Sequence, residues 1–470
     1  MAFTNFCCRS GGSNLNAGTL TGDTTEPGTS ASFTYASGNW VQSTGVFTVA
    51  SGDPASDGVA VGDFASVYAD GSSVTGFVGR VTARDSTTIT VSGTAKSGTK
   101  PTDGTGDRTL KIGGAWLGPN GTSGFPFNFI ENACTNSSGD KVRVNFKNDA
   151  TYSITSGITH SSNIGPFWLQ GYTDSYGDLG KAVIDGGTSG ASYVLLTMSS
   201  LGHIYTQLLD FVFQNNGATG SATGVTVSSD LRFMMKRCVV HDVRGNGFEV
   251  PIAIECEAYA CNQSNTATKA GFAQISGAGV ILKRCISHDN TGSNSNGFYT
   301  QTSVFHYHDC ISDTNGKHGF YFNNTTTGSL YGCDAYGNGS DGAAHYTATT
   351  VMHIENCNFI KNGGYGINKA SGTMYGQIVN CGFGAGTQAN TSGQIGGSPN
   401  VVETGTVTYA NDVTPYSDPD FDDFSILLKQ ARGTGRGAFS TTGGGSTTGY
   451  PDIGAAQAQV KGKSRYILGM

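Results

Sequence analysis

Cysteine recurs at an almost constant interval through the C-terminal half of the chain. Consecutive members of the set lie 23, 24, 25, 23, 24 and 24 residues apart. A period of this size, held over so many copies, is typical of one structural unit stacked repeatedly on itself. The set comprises Cys238, Cys261, Cys285, Cys310, Cys333, Cys357 and Cys381.

The residues around each cysteine repeat as well. Three positions before it an apolar residue stands in nearly every copy, and nine to twelve positions after it comes a glycine, usually followed by an apolar residue. The preceding apolar residues are Met235, Ala258, Leu282, Tyr307, Leu330, Ile354 and Ile378. The glycine pairs are Gly247-Phe248, Gly271-Phe272, Gly297-Phe298, Gly319-Phe320 and Gly366-Ile367. These segments are rich in Gly, Asn, Ser and Thr, which form helices poorly, so each unit is interpreted as short strands separated by turns.

This pattern predicts an all-β fold, a parallel β-helix. About 24 residues suffice for one coil of three strands, and successive coils then pair in register about 4.8 Å apart. Each sequence column becomes a physical stack along the solenoid. We expect the cysteine column to point inward, since cysteine behaves as a small hydrophobic residue that fits a narrow core.

A second column supports the same register. Asparagine stands five residues after four of the cysteines, and Asn215 stands five residues after Asp210, which fills the cysteine position of an earlier coil. Stacked asparagines can hydrogen-bond along the solenoid axis and tolerate the left-handed backbone of a tight bend. Val243 and Thr266 interrupt the column. Its other members are Asn290, Asn315, Asn338 and Asn362.

Composition excludes several classes of function. The formal charge of −7 and the pI near 5.7 argue against nucleic acid or an anionic membrane as a partner. No apolar stretch has the length of a membrane span, so we expect no membrane insertion. No phosphate-binding loop, dinucleotide-binding fingerprint or zinc-ligand spacing is present, and no cofactor or metal is predicted.

The N-terminus and the cysteines together suggest a cellular setting. The first ten residues lack the basic and apolar regions of a secretory signal. Eleven cysteines, seven of them in one column, indicate free thiols and synthesis in a reducing compartment. Parallel β-helices rich in polar turns usually work outside cells, and a virion component assembled in the host cytoplasm reconciles the two observations. An export route that the sequence does not reveal is the alternative.

Four regions are expected along the chain. Residues 1–40 are predicted to form an extended arm or attachment segment, or else to be disordered. Residues 41–115 contain four short strand patterns and predict a small antiparallel β domain, either a barrel or a sandwich. Residues 116–400 are assigned to a capping helix followed by the β-helix, and residues 401–470 to closure of the solenoid.

Three short segments are predicted to cover the two ends of the solenoid. The first coil of a solenoid exposes an apolar cross-section and unpaired strand edges, so it needs a cap. Phe125–Cys134, with Pro126 in its first turn, is predicted to be a capping helix. At the other end, Asp422–Leu427 and Pro451–Ala455 are expected to fold back and close the solenoid.

The Cys-x-x-x-x-Asn…Gly-Phe pattern resembles right-handed parallel β-helices of the pectate-lyase-like superfamily. The strand-rich segment that runs into Gly-Gly-Ala-Trp at residues 113–116 is similar to virion-associated proteins of tailed bacteriophages. This resemblance covers roughly residues 41–460. It implies a polysaccharide lyase, a glycoside hydrolase, or a trimeric tail spike or fibre that binds host glycans. No catalytic signature of the family matches residue for residue, so the resemblance assigns no catalytic residue.

An enzyme on this fold needs carboxylates on one face, and glycoside hydrolysis needs two of them. The best cluster falls at one turn column and contains Asp242, Asp289 and Asp313, with His241 and His288 beside the first two. Aspartate is also common at turns because its side chain binds nearby backbone amides. These three aspartates are therefore candidate catalytic residues against a stronger structural interpretation.

Binding is better supported than turnover. Stacked aromatic and polar side chains make a shallow groove suited to sugars, and Tyr299, Tyr321 and Tyr336 are the candidate glycan-binding residues. The leading hypothesis is a structural or adhesive bacteriophage virion protein, attached to other virion proteins through its N-terminal region. A homotrimer and a host-surface polysaccharide are its expected partners. The alternatives are a polysaccharide-degrading enzyme and a bacterial surface adhesin.

Overall fold

The computed structural model describes most of the chain, and every structural statement below concerns the residues that it describes. These are residues 3–13, 15–18, 26–72, 77–92, 101–122, 141–160, 167–199, 206–227, 233–274, 279–301, 304–323, 327–346, 349–370, 373–384, 401–404, 407–408, 416–418 and 423–426. The chain divides into two compact units, and each is described by itself. The first comprises Met1–Gly187 with Leu195–Val212, and the second comprises Thr188–Val194 with Phe213–Met470.

The second unit is the predicted parallel solenoid, with about eight turns. Most turns contribute one strand to each of three parallel sheets, in the order in which the coils follow along the chain. The first sheet contains β18 (Phe233–Lys236), β21 (Ile252–Ile254), β24 (Val280–Lys283), β27 (Val304–His308), β30 (Thr327–Tyr331), β33 (Thr349–Glu355), β36 (Thr373–Val379) and β38 (Val401–Thr404). The second sheet contains β19 (Val239–His241), β22 (Glu257–Tyr259), β25 (Ile286–His288), β28 (Ile311–Asp313), β31 (Asp334–Tyr336), β34 (Asn358–Ile360), β37 (Gly382–Phe383) and β39 (Val407–Thr408). The third sheet contains β17 (Val225–Val227), β20 (Phe248–Glu249), β23 (Lys269–Gln274), β26 (Ser295–Thr300), β29 (Phe320–Asn323), β32 (Ala343–Tyr346) and β35 (Ile367–Lys369).

In the interior of the solenoid, residues at equivalent positions of successive coils stack on one another, as predicted. The phenylalanine that follows each repeat glycine lies over its counterpart in the next coil, and the ring centroids of Phe248, Phe272, Phe298 and Phe320 are 4.9, 5.1 and 4.9 Å apart in turn. The apolar position three residues before each cysteine is likewise in register from Met235 to Ile378. Burial of these columns removes apolar surface from water on every coil, which stabilises the fold coil by coil.

The cysteine column is confirmed with one correction. Cys256, and not Cys261, occupies the column between Cys238 and Cys285. The carbonyl of Cys238 accepts a hydrogen bond from Glu257 N–H at 2.9 Å, and the carbonyl of Cys256 accepts one from Ile286 N–H at 2.9 Å. The two coils are therefore 18 and 29 residues long, by subtraction of the cysteine numbers, and not 23 and 24. The stacked apolar residue in this coil is accordingly Ala253, and not Ala258.

The asparagine column is also confirmed, with two changes of membership. Side-chain amides form a continuous chain in which Asn290, Asn315 and Asn338 each donate from Nδ2 to Oδ1 of the next member, ending at Asn362, at 2.6, 2.9 and 2.9 Å. All four side chains are buried. Cys261 takes the equivalent position one coil earlier, where its N–H donates to Oδ1 of Asn290 at 2.7 Å. The interruption predicted at Thr266 was therefore a consequence of the wrong register.

Asp210 was also assigned one position too far along the repeat. Its φ of 62° is that of the residues just before the column cysteines, such as Arg284 at 52° and Asn356 at 56°. Phe211 therefore holds the cysteine position, and the residue five positions later is Asn216 and not Asn215. Asn216 is fully buried and accepts a hydrogen bond on Oδ1 from Arg244 N–H at 2.8 Å.

Left-handed backbone occurs next to the asparagines and not at them. The residues four positions after the column cysteines have positive φ: Asp242, Ala260, Asp289, Thr314, Gly337 and Lys361. This conformation turns the chain out of the second sheet, and Asp and Gly tolerate it better than most residues. The asparagine that follows then points inward, where its amide joins the buried chain.

The first unit contains the predicted small antiparallel domain, which is a closed six-stranded barrel. Its strand order is β2-β3-β6-β5-β4-β7. The strands are β2 (Phe33–Val41), β3 (Val46–Thr48), β4 (Phe64–Ala69), β5 (Val78–Arg84), β6 (Thr88–Val91) and β7 (Gly104–Ile112), and α1 (Pro54–Asp57) precedes β4. Trp40, Phe47 and Phe77 fill its core. Closure pairs the edge strands, which a sandwich would leave open.

The remaining strands of the first unit pair in parallel, as in a solenoid. One sheet has the order β15-β12-β9-β1-β8, β10 pairs with β13, and β11 pairs with β14. These strands are β1 (Phe3–Arg9), β8 (Trp116–Leu117), β9 (Lys141–Lys147), β10 (Thr151–Ser153), β11 (Ile158–His160), β12 (Phe167–Tyr172), β13 (Ala182–Asp185), β14 (Leu196–Met198) and β15 (Thr206–Leu209), while β16 (Phe211–Gln214) includes the unit boundary.

Near both ends of the chain, the structure differs from the predicted domain boundaries. Residues 3–9 were expected in an extended arm, but they form β1, which pairs with β8 and β9, because Phe6, Cys7 and Cys8 are apolar enough to be buried there. Residues 401–408 were assigned to the closing segment, but β38 and β39 pair with β36 and β37 as a further coil. β40 (Tyr416–Asp418) and β41 (Asp423–Ile426) form an antiparallel pair.

Two predicted segments lie outside the described residues. They are the capping helix at 125–134 and the closing segment at 451–455. No helix within the described ranges has the length and hydropathy of a membrane span.

The amide chain predicts a large, local sensitivity to mutation. Asn338→Ala removes an acceptor used by Asn315 and a donor to Asn362, and leaves buried amide groups unsatisfied. We expect a loss of about 3 kcal/mol in the free energy of unfolding, measured by urea denaturation. Asn148→Ala, at an exposed position, is the matched control and should change stability by less than about 0.5 kcal/mol. Equal effects at both positions would show that the amide chain is not formed.

Candidate functional site

Three aromatic side chains form a ladder on the outer face of the second sheet. His241, Tyr259 and His288 are the last residues of β19, β22 and β25, and they pair in register on consecutive coils. The His241 and Tyr259 rings are 4.7 Å apart and nearly parallel, and the Tyr259 and His288 rings are 5.1 Å apart. We call these three residues the His–Tyr–His ladder.

Three carboxylates border the ladder. Oδ2 of Asp242 lies 2.7 Å from Nδ1 of His241, and Oδ2 of Asp289 lies 2.8 Å from Nδ1 of His288. Oε1 of Glu257 lies 3.0 Å from Nε2 of His288. The side chains of Asp242 and Asp289 are 44% and 58% exposed, so this border is open to solvent. The ladder therefore presents ring edges and carboxylate oxygens, and not ring faces, to a ligand.

The turn that leaves the second sheet is lengthened beside the ladder. The glycine that opens the third-sheet strand follows the column cysteine by 9 residues in the coils of Cys238, Cys310, Cys333 and Cys357, by subtraction. It follows by 15 residues after Cys256 and by 12 after Cys285. The extra residues lie in the segments 260–270 and 289–296, whose last two residues already belong to β23 and β26, and we call these segments the lengthened turns.

The lengthened turns hold each other and the ladder by polar contacts. Oδ1 of Asn265 accepts a hydrogen bond from Asn294 N–H at 2.9 Å, and Nδ2 of Asn262 donates to Oγ of Ser295 at 3.0 Å. Nε2 of Gln263 donates to Oδ1 of Asp242 at 3.1 Å. A polar ledge of asparagine, serine and glutamine side chains thus adjoins the exposed carboxylates.

The predicted catalytic aspartates are only partly brought together. Asp242 and Asp289 share the corner column with positive φ, but Ala260 stands between them, and not Asn265 as the assumed register implied. Two coils of solenoid separate them by about 10 Å along the axis. Asp313 lies one position earlier in its coil, in register with His288, and is 5% exposed. The three therefore do not form a single carboxylate cluster.

The predicted glycan-binding tyrosines are buried. Tyr299 and Tyr321 stack on each other on the third sheet with centroids 5.2 Å apart, and Tyr336 lies on β31 beneath Nζ of Lys361. Their exposed fractions are 3%, 9% and 3%. Small neighbours such as Ala273 and Ala344 let Tyr299 and Tyr321 pack into a side cluster. None of the three rings offers an open face to a sugar.

Sequence reasoning missed Glu257 and Gln263, which contact His288 and Asp242. The available signal was Cys256: once it is placed in the column, Glu257 falls on the second sheet one coil before His288. Within the described ranges, no three His, Cys, Asp or Glu side chains are grouped so as to hold a metal ion.

His288 is positioned as a fixed cation and not as a proton acceptor. Burial disfavours its charged form, but hydrogen bonds and charges from Glu257 and Asp289 outweigh burial and raise the pKa of His288 to about 9. Both ring nitrogens are engaged by carboxylates, so no lone pair is free to accept a proton from a substrate. The imidazolium links the coil of Glu257 to its own.

Comparison with known proteins agrees with this architecture. Residues 223–383 match a family model described as a right-handed β-helix region. Among solved structures, the chain is similar to pectate lyase Pel9A, at 14% identity and a TM-score of 0.44, over 73% of this chain and 96% of that one. It is also similar to the catalytic domain of a GH87 α-1,3-glucanase in complex with nigerose, at 11% identity and a TM-score of 0.30, over 80% and 90% of the two chains. No curated protein matches the sequence. The family model supports a right-handed parallel β-helix over residues 223–383, as the resemblance implied.

The pKa of His288 makes its contribution to stability depend on pH. A folded-state pKa near 9, against 6.5 for an ordinary histidine, stabilises the fold fully below pH 6.5, and this stabilisation disappears as pH rises through 9. The upper bound is about 3 kcal/mol. We expect the stability difference between the native chain and His288→Gln to shrink between pH 7 and pH 10.

NMR titration of the His288 ring gives the same quantity directly. Glu257→Gln should lower the pKa of His288, because one of the two carboxylates is neutralised. A native pKa at or below 6.5 would contradict the double carboxylate contact.

Proposed function

We propose that the protein is a carbohydrate-binding β-helix protein whose binding surface comprises the His–Tyr–His ladder, its bordering carboxylates and the lengthened turns. Sugars present many hydroxyl donors, and this surface presents exposed carboxylate and amide oxygens at repeated spacing. The single observation that supports the proposal best is the coincidence of ladder and lengthened turns. In the other coils the glycine follows the cysteine by only nine positions, and the two coils that exceed this minimum carry Tyr259 and His288.

The same geometry favours binding over turnover. Lyase chemistry needs a free base, and glycoside hydrolysis needs an acid and a second carboxylate on opposite sides of one bond. Here His288 is held by Glu257 and Asp289, and Asp242 is shared between His241 and Gln263. These contacts fix the side chains as hydrogen-bonding and charged groups.

Calorimetric titration with surface oligosaccharides of neutral, amino and uronic acid type tests this proposal. We expect one class to bind without release of new reducing ends or unsaturated products. Gln263→Ala and Tyr259→Ala should each weaken binding by about tenfold, the effect of roughly one lost polar or packing contact. Tyr365→Ala, at an exposed tyrosine in the same turn column but three coils beyond His288, should leave affinity unchanged. Cleavage of the sugar would instead indicate an enzyme, and unchanged affinity in both ladder variants would place binding elsewhere.

We extend the proposal to a structural or adhesive component of a bacteriophage virion, a homotrimer that meets other virion proteins through its N-terminal region. Two features support it. The ten described cysteines are all buried as thiols, which suits synthesis in a reducing cytoplasm. A closed barrel lies between β1 and β8 in the chain and offers a folded surface for attachment.

Electron microscopy of purified particles tests the virion role. A labelled antibody against the barrel, residues 33–112, should decorate one class of site on intact particles or on particles stripped of their outermost proteins. Light scattering of the isolated chain should give three times the mass of one chain. Particles without label in either state would exclude the virion role, and a monomer would exclude the trimer.

A further inference from the structure

The outer face of the first sheet carries a second group of reactive side chains, on a different sheet from the ladder. Alternate residues of β27, β30 and β33 face outward and pair in register on three consecutive coils. Ser329 stands at the centre of this group, with a histidine at the same strand position in the coil before and in the coil after. The nine residues, which we call the first-sheet array, are Val304, His306 and His308, then Thr327, Ser329 and Tyr331, then Val351, His353 and Glu355.

Ser329 lies in a notch between larger side chains. The outward column that contains it consists of Ile281, His306, Ser329, His353 and Gln377. Serine is the smallest member of this column, and although it faces outward it is only 4% exposed, because the larger side chains around it shield it. The side chain of His353 is 32% exposed and Val351 is 51% exposed, so the rim of the notch is open to solvent.

The hydroxyl in the notch is hydrogen-bonded to one of its two histidines. Nδ1 of His306 lies 2.7 Å from Oγ of Ser329. In the imidazole tautomer with its proton on Nε2, Nδ1 accepts the hydroxyl hydrogen, and this is the contact of a general base with a nucleophile. On the other side of Ser329, Oε2 of Glu355 lies 2.9 Å from Nε2 of His353 and fixes that ring.

Two further rings border the notch along the strand direction. His308 and Tyr331 stack with centroids 5.1 Å apart, and the Tyr331 ring lies 5.2 Å from that of His353. Burial lowers the pKa of His308 to about 4, with a smaller contribution from neighbouring positive charges, so this ring is neutral at pH 7. Burial and the Glu355 carboxylate raise the pKa of Tyr331, so its phenol keeps its proton. The rim thus supplies a phenol O–H as a donor to the oxygen of a bound carbonyl group.

From this arrangement we propose that the first-sheet array is an ester-hydrolysing site, in which Ser329 is the nucleophile and His306 the general base, and that its substrates are short acyl esters of carbohydrate hydroxyls. This activity goes beyond the binding function proposed above, and only the carbohydrate part of the substrate rests on that function. Val304 and Val351 flank the notch on the side away from Tyr331, and their methyl groups suit a short acyl group.

The reaction uses one serine, one histidine and one water molecule. Oγ of Ser329 forms a bond to the acyl carbon while its proton passes to Nδ1 of His306. The bond between the acyl carbon and the sugar oxygen then breaks, and the sugar oxygen takes that proton from His306. Water attacks the acyl-serine carbon and gives a proton to His306, which returns it to Oγ as the carboxylic acid leaves. The products are a free sugar hydroxyl and a short carboxylic acid.

Hydrolysis of two kinds of ester tests this inference. p-Nitrophenyl acetate reports ester cleavage without any carbohydrate, and a panel of O-acetylated hexose and pentose oligosaccharides, with acetate release followed by NMR, reports the proposed substrate class. We expect the native chain to cleave p-nitrophenyl acetate and at least one of the oligosaccharides. Ser329→Ala should reduce both rates to the uncatalysed value, and His306→Gln should lower kcat/KM by at least 100-fold. Ser175→Ala, at an exposed serine of the first unit, is the matched control and should keep the native rates.

Covalent labelling of the native chain gives a measurement that does not depend on the folding of a variant. Phenylmethylsulfonyl fluoride should add one sulfonyl group, located at Ser329 by mass spectrometry of peptides. His306→Gln, with a circular dichroism spectrum equal to that of the native chain, should slow this labelling by a factor similar to its effect on hydrolysis, since the same base activates the hydroxyl in both reactions.

The possible outcomes separate the ester-hydrolysing site from the binding function. Hydrolysis that survives Ser329→Ala, or a native chain whose Ser329 is not labelled, would overturn the inference and leave carbohydrate binding by the ladder untouched. Cleavage of p-nitrophenyl acetate with no acetate release from any oligosaccharide would overturn the proposed substrate class. Absence of binding across the oligosaccharide panel of the calorimetric test, with ester hydrolysis that depends on Ser329, would overturn the binding function and keep the ester-hydrolysing site.

Discussion

In-register stacking of equivalent side chains is the constraint on which the rest of the structure depends. Each coil alone buries too little apolar surface to be stable, but every column adds a contact with the coil before and the coil after. The phenylalanine column supplies apolar burial, and the thiols of Cys310, Cys333 and Cys357 fit beneath the preceding coil, each within 3.6 Å of one of its carbonyl oxygens. The buried amides of the asparagine column then fix the register, because a slip by one residue would leave them unsatisfied.

The proposed binding surface follows from the same constraint. Because inward columns must be regular, variation is confined to outward positions and to turn length. The outer column at the end of the second sheet changes from His241 to Tyr259, His288 and Asp313, whereas the inward position beside it stays small or apolar. The turns beside Tyr259 and His288 are lengthened without disturbing the stack. The proposed recognition surface is thereby added to a scaffold that tolerates insertion at its corners.

The periodic part of the fold could be predicted from the sequence because a solenoid repeats the same residue pattern in every coil. The apolar column, the Gly-Phe column and the amide column were each visible as spacings. The coil of Cys256 could not be placed, because 18 and 29 residues add up to the same 47 as 23 and 24, and Cys261 fits the average period. An insertion in a turn changes the number of residues between two stacked positions, but the residues on either side of it stay in the same columns. Because of that error, Ala258 was assigned to the column position of Ala253, and Asn265 was assigned to the position of Ala260. The contact of Glu257 with His288 was not predicted for the same reason.

The open surfaces were harder to predict than the core. Tyr299, Tyr321 and Tyr336 satisfy a sugar-binding pattern, yet all three are buried. The burial of Tyr299 and Tyr321 depends on small neighbours such as Ala344, which the repeat does not specify. The most direct test of the account is a crystal structure with anomalous scattering from the native sulfur atoms. The account predicts one row in which the sulfur of Cys256 lies between those of Cys238 and Cys285, with Cys261 displaced toward Asn290. A row that contains Cys261 and excludes Cys256 would contradict the register and, with it, the ladder.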